Sequence, residues 1–141
     1  MTTTYELSDN IQRGIIYLAK SDVGFLTQAM PMVKPEYFEY PSHQKMFKII
    51  VEYYIKYKML PSDDFILEEV KKVKTSNELF SDYREELKLI NNLDEKSINN
   101  EDYILDLVEG FAKEQSLKDA IIRSAEMVKS KKYTEIEPIM R

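Results

Sequence analysis

Between Pro41 and Pro61 the apolar residues fall on a helical period. Phe47, Ile50, Val51 and Tyr54 sit at i, i+3, i+4 and i+7, and a second stripe of Met46, Ile49, Tyr53 and Tyr57 runs beside the first. Together the stripes leave the segment apolar over most of its circumference, so other helices have to be built around it. Pro41, with a preset φ and no N–H to lose, suits the first turn. The spacing predicts four or five turns and the central helix of the domain.

The flanks read the same way. Ser8 or Asp9 caps a first helix carrying Ile11, Ile15, Ile16 and Leu18, and Ser21 caps a second with Val23, Phe25, Leu26 and Met30 until Pro31 stops it. Lys34-Pro35 and Tyr40-Pro41 keep 32–40 a loop with at most one turn near Pro35, because a residue before proline avoids the helical region. Ser62 restarts a helix that buries Phe65, Ile66 and Val70 and exposes Glu68, Glu69, Lys71 and Lys72. A further helix over 77–93 aligns Leu79, Tyr83, Leu87 and Ile90. The polar run 91–100 is the natural hinge.

From 101 to about 131, Ile104, Leu107, Val108, Phe111, Leu117, Ile121, Met127 and Val128 recur with helical spacing, enough for a helix of about 45 Å. Such a helix should protrude from the globule. A turn and a new amphipathic start follow at 134–141, as at the front of a longer protein. The expected fold is all-α: residues 1–98 form a helical globule of about five helices, and residues 99–141 form a long protruding helix, the first arm of a helical hairpin, with the start of the second. The whole is one structural domain. Only three glycines and five prolines in 141 residues agree with helix rather than a many-stranded β fold.

Composition also narrows the chemistry. Without cysteine there is no disulfide, thiol nucleophile or thiolate metal site, and a reducing cytoplasm is the simplest home. The N-terminus lacks the basic and apolar regions of a signal peptide, and no stretch approaches the ~20 apolar residues of a membrane span. His43 is the only imidazole and has no partner for a zinc site, which favours a structural or surface role. The carboxylate doublets Asp63-Asp64, Glu68-Glu69 and Glu85-Glu86 point about 100° apart on a helix and read as solvated faces. Gly14, Gly24 and Gly110 are isolated from one another, so no phosphate cradle can be drawn. The expectation is no catalytic, cofactor-binding or metal-binding residue. Net charge of −5 without a basic block argues against tight DNA binding by these residues alone. Core packing outweighs base stacking for Phe47 and Tyr54, less decisively for Tyr37 and Tyr40 in the loop.

Three pieces then stand in order: Val33-Lys34-Pro35-Glu36-Tyr37-Phe38; Ser42-His43-Gln44-Lys45-Met46-Phe47 opening a helix; and Pro61-Ser62-Asp63 before the next. In order and spacing over 11–75 the chain resembles the N-terminal domain of DnaB-type replicative DNA helicases. Its tyrosine- and lysine-rich texture, long last helix and ending Tyr133-Thr134-Glu135-Ile136-Glu137-Pro138-Ile139-Met140-Arg141 are most similar to the helicases of T-even-type bacteriophages. The usual bacterial opening is only faintly echoed by Ile11-Gln12-Arg13-Gly14-Ile15-Ile16, and the hairpin region matches by pattern alone.

That resemblance implies an interaction module: a globule with a protruding hairpin, whose pairs form a collar that supports the hexameric ring and receives primase. The implied partners are other helicase subunits, primase and a helicase loader, in the cytoplasm of an infected bacterium. ATP, magnesium and the 5′–3′ unwinding activity would belong to a motor domain of the parent protein, not to these residues. The interface candidates are Leu107, Phe111, Leu117, Ile121, Met127 and Val128. The rival readings are a free-standing all-helical replication adaptor or helicase loader, which calls for a basic DNA-binding face, and a small helical enzyme, which calls for a cleft with converging polar groups.

Overall fold

The structure, a computed structural model, describes residues 9–75, 77–93 and 101–129. They form α1 (Asp9–Ser21), α2 (Val23–Ala29), a 3-10 turn (Pro35–Tyr37), α3 (Pro41–Tyr57), α4 (Asp63–Val73), α5 (Phe80–Asn91) and α6 (Glu101–Lys129), with no strand among the described residues. The all-α globule followed by a long helix is as expected. Ser8, the hinge residues 94–100 and the second-arm segment 134–141 lie outside the described residues.

Local chemistry sets most boundaries. The Ser62 side chain accepts a hydrogen bond from Phe65 N at 3.2 Å and starts α4, as read from the sequence. The cap of α2 is Asp22 and not Ser21: Asp22 Oδ1 accepts from Phe25 N at 3.2 Å, while Ser21 is spent as the last residue of α1. Pro41 opens α3 behind an extended Tyr40, and α3 ends on Lys58 in the left-handed conformation (φ 58°). Leu79 occupies the cap position of α5 and is 62% exposed, so the inner face of α5 is Tyr83, Leu87 and Ile90 without it.

The hub of the globule is α1, which packs on α2, α3, α5 and α6. Gln12, Ile15, Ile16, Leu18 and Ala19 are all buried along it. The expectation that α3 is central holds for its first half, where Met46, Phe47 and Ile50 are fully buried. Its second half meets chiefly α4, and Ile55 and Tyr57 are about half exposed. Phe65 and Val23, expected inside, are half-buried and exposed respectively, because each lies at the edge of its helix's buried stripe.

Two glutamines tie the proline-bounded loop down. Gln12 Oε1 accepts from Glu39 N at 3.2 Å, and Gln44 Nε2 donates to Phe38 O at 2.7 Å. These bonds pair loop backbone groups with side chains of α1 and α3. They hold Tyr37 and Phe38 over the core, where both meet Phe111 of α6.

Candidate functional site

The residues that root α6 are Ile104, Val108, Phe111 and Ala112, all buried in the globule. Beyond Ala112 no described residue of α6 is buried, so the 17 residues from Lys113 to Lys129, about 25 Å of helix, sink no side chain into the globule, although Lys113, Ser116, Leu117 and Ala120 line a cleft against it. On this part Leu117, Ile121, Ile122 and Val128 are 48–60% exposed. Leu117, Ile121 and Val128 recur at i, i+4 and i+11 and share one side of the helix. Its charged side chains alternate in sign, with Arg123 set toward Asp119 at 3.8 Å, so the apolar stripe is framed by a nearly neutral surface.

The structure divides the six interface candidates. Leu117, Ile121 and Val128 are exposed, Met127 and Leu107 are half-buried, and Leu107 packs on the edge of the core. Phe111 belongs to the core: it is 1% exposed, with its ring 6.3 Å from that of Tyr37 and 6.2 Å from that of Phe38. Its place in an interface set is therefore corrected, because no surface of the ring remains to offer. Ile122 was missed. The Ile121-Ile122 doublet was its signal, since two adjacent isoleucines cannot both face a single narrow seam.

At the root of the projecting segment lies a cleft of about 670 Å³ between the loop before α3 and α6, floored by Met32, Tyr37, Ala112 and Leu117 and flanked by Lys34 and Lys113. Leu117 thus belongs to both the cleft and the exposed stripe. The cleft sets an apolar floor beside Lys34 and the pair Lys113–Glu109, whose Nζ and Oε2 are 3.9 Å apart.

A buried charged cluster lies elsewhere. His43 is fully buried, and its Nε2 is 2.6 Å from Glu86 Oε2; the same carboxylate accepts from Arg13 Nε at 2.6 Å and from Arg13 Nη2 at 3.3 Å. Burial pushes the Glu86 carboxyl up, but the hydrogen bonds and charges of His43 and Arg13 together outweigh it and hold it at about 2. His43 Nδ1 has no partner. The cluster cross-links α1, α3 and α5, which is a structural task.

Glu86 was read as part of a solvated doublet, yet it is 14% exposed, whereas Glu85 is 72% exposed. A second unforeseen cluster fixes the link between α4 and α5. Glu78 accepts from Lys45 Nζ at 2.5 Å, from the Tyr83 hydroxyl and from Thr75 N at 3.2 Å; the Lys45 bond first and the Tyr83 bond second hold its carboxyl at about 2. Neither cluster was visible in sequence, because Lys45 is 33 positions from Glu78, and His43 and Arg13 are 43 and 73 positions from Glu86. Among the described residues no group of three or more His, Asp and Glu side chains is placed to hold a metal ion, and no helix is long and apolar enough to cross a membrane.

Comparison of the chain with protein-family models, with curated proteins and with solved structures finds no match.

Proposed function

We propose that this chain is the N-terminal interaction domain of a DnaB-type replicative helicase, similar to those of T-even-type bacteriophages, and that it works in ring assembly and primase coupling. The observation that carries the proposal is the projecting half of α6, where Leu117, Ile121, Ile122 and Val128 stand about half exposed on a segment that buries no side chain in the globule. Leu117, Ile121 and Val128 share one side of this helix, with Ile122 about 100° round from them, and form an exposed apolar stripe of the kind that marks an interaction site. A partner helix laid along it buries that patch; on this reading the partner is the second arm of the hairpin or another subunit.

The remaining features fit the same role. The globule is braced by two charged clusters and a tied-down loop, so it can hold α6 at a fixed angle through Phe111. On this reading the domain itself hydrolyses nothing. Motor chemistry, with ATP and magnesium, belongs to residues beyond Arg141, and the partners are other subunits and primase.

Two measurements test the reading. The open reading frame beyond Arg141 should encode a G-x-x-x-x-G-K-[ST] loop after a strand. The encoded protein should sediment as a ring and stimulate primer synthesis by the primase of the same genome. A frame without such a loop, or a chain that binds single-stranded oligonucleotide tightly and in a salt-sensitive way, would replace the proposal with the loader reading.

A further inference from the structure

Away from α6, the antiparallel pair α3–α4 carries a second unoccupied surface. A hollow of about 420 Å³ lies between the two helices, with Tyr53, Tyr57 and Phe65 in its wall. A smaller one of about 180 Å³ shares Ile49, Glu52 and Val73 with it, so the two make one trough. Along α3 the trough runs from Lys48 to Tyr57, about 14 Å or two and a half turns. Tyr57 is 49% and Val73 47% exposed, so a large part of its wall is apolar and open to solvent.

Charge distinguishes this face from the rest of the chain. Residues 45–74 hold seven lysines against five carboxylates, whereas the whole chain carries −5. Within the trough Lys72 is neutralised by Glu69 at 2.9 Å, and Lys45 at its end by Glu78. Lys48 and Lys56 form no ion pair among the described residues, and they outnumber Glu52, the carboxylate left over. The trough is therefore a hollow of mixed wall, apolar at Tyr53, Tyr57, Phe65 and Val73, with a surplus of positive charge at its edge, on a molecule that is otherwise acidic.

Nucleic acid is a poor occupant for it. The rings already engage one another, Tyr53 lying 4.7 Å from Tyr57 and 4.6 Å from Phe65, and Lys56 sits 5.2 Å from the Tyr57 centroid. No stacked platform is left for a base. A helix suits the hollow better, since the groove between two packed helices accepts the ridge of a third.

We infer that the α3–α4 trough docks an amphipathic helix of a partner protein, apolar on one face and acidic on its flanks. Leucine- or phenylalanine-sized side chains at i, i+3, i+4 and i+7 fill the hollow between Tyr53, Tyr57, Phe65 and Val73, and glutamates or aspartates beside them meet Lys48 and Lys56. This surface is independent of the α6 reading, which it neither needs nor supports.

The test uses the full chain and a fluorescein-labelled helical peptide of about 15 residues with leucines at those spacings and glutamates between them. Anisotropy should show saturable binding with Kd on the order of 10–100 μM, about tenfold or more weaker for the same peptide with lysine in place of glutamate. Lys48→Glu with Lys56→Glu should reverse that preference, and Tyr57→Ala, a surface change, should weaken both peptides with circular dichroism unchanged. Ile121→Glu should leave binding intact. Absence of saturable binding of the glutamate peptide, equal binding of the two peptides, loss of binding in Ile121→Glu, or displacement of the peptide by a single-stranded oligonucleotide would each overturn the inference.

Discussion

Phe38 and Phe111 stand 73 residues apart in sequence and meet with ring centroids 6.2 Å apart in the core. Phe38 also lies 5.3 Å from Phe47, so one ring joins the proline-bounded loop, α3 and α6. The loop is not merely a connector. It is the clamp that roots the long helix.

Truncating that ring should therefore destabilise the whole domain. Phe38 is 1% exposed, and Phe38→Ala removes its transfer free energy and leaves a cavity, a cost of about 3–5 kcal/mol. Phe47→Ala, at 0% exposure, should cost a similar amount. Urea denaturation followed by circular dichroism checks both, and a loss below about 1 kcal/mol for Phe38→Ala would show that the loop packs more loosely than described.

Acid should weaken the domain through two carboxyls. Glu86 and Glu78 are both depressed to about 2, so each favours the folded state above its ordinary range near 4.5 and loses that contribution as pH falls from there toward 2. Glu86→Gln leaves Arg13 and His43 without their shared anion and should cost about 3 kcal/mol at neutral pH. The gap between variant and wild type should narrow between pH 5 and pH 2, with Glu78 and the lowered Asp22 carboxyl contributing to the residual slope of the variant. A gap that stays constant with pH would mean that Glu86 titrates alike in the folded and unfolded chain.

Lys58 is the only non-glycine residue with positive φ among those described, at 58°. A side chain there is strained by its Cβ, and glycine is not, although glycine has more freedom to lose on folding. Lys58→Gly also gives up the contact of Nζ with the Tyr54 ring at 5.9 Å. The strain is the larger effect, so the variant should gain roughly 0.5–1 kcal/mol. Thermal unfolding decides it, and a lower midpoint would mean that the Tyr54 contact outweighs the backbone.

The fold was legible where the information is local. Helical spacing marked α3 and α6, Ser62 marked the start of α4, and prolines marked the loop, because periodicity, capping and proline sterics act within a few residues. What escaped was long-range. Asp22 displaced Ser21 as a cap by a choice between neighbours, while Glu86 was taken for a solvated acid because Arg13 and His43 reach it only after the helices pack, as Lys45 reaches Glu78. Phe111 escaped for a related reason: a helical stripe shows which side of α6 is apolar, but not where along its length the globule ends.

That end lies near Ala112, and it decides what a charge on the apolar stripe should do. Ile121 is 60% exposed and sits nine residues past Ala112, so Ile121→Glu removes no buried contact in the globule, and circular dichroism and the unfolding midpoint should stay close to wild type. The same change puts a carboxylate into any interface that covers Leu117, Ile121 and Val128, where desolvating an unpaired charge costs several kcal/mol. Association through this face should fall by about two orders of magnitude or more, since each 1.4 kcal/mol is tenfold. Leu117→Glu should act alike, with an added effect at the cleft beside Met32 and Tyr37. Ile121→Ser, polar but uncharged, should show a smaller loss. Analytical ultracentrifugation and primer synthesis with the parent protein are the readouts. If Ile121→Glu matches wild type in both while remaining folded, the projecting half of α6 is not the assembly or primase-docking surface, and the proposed function loses the observation that carries it.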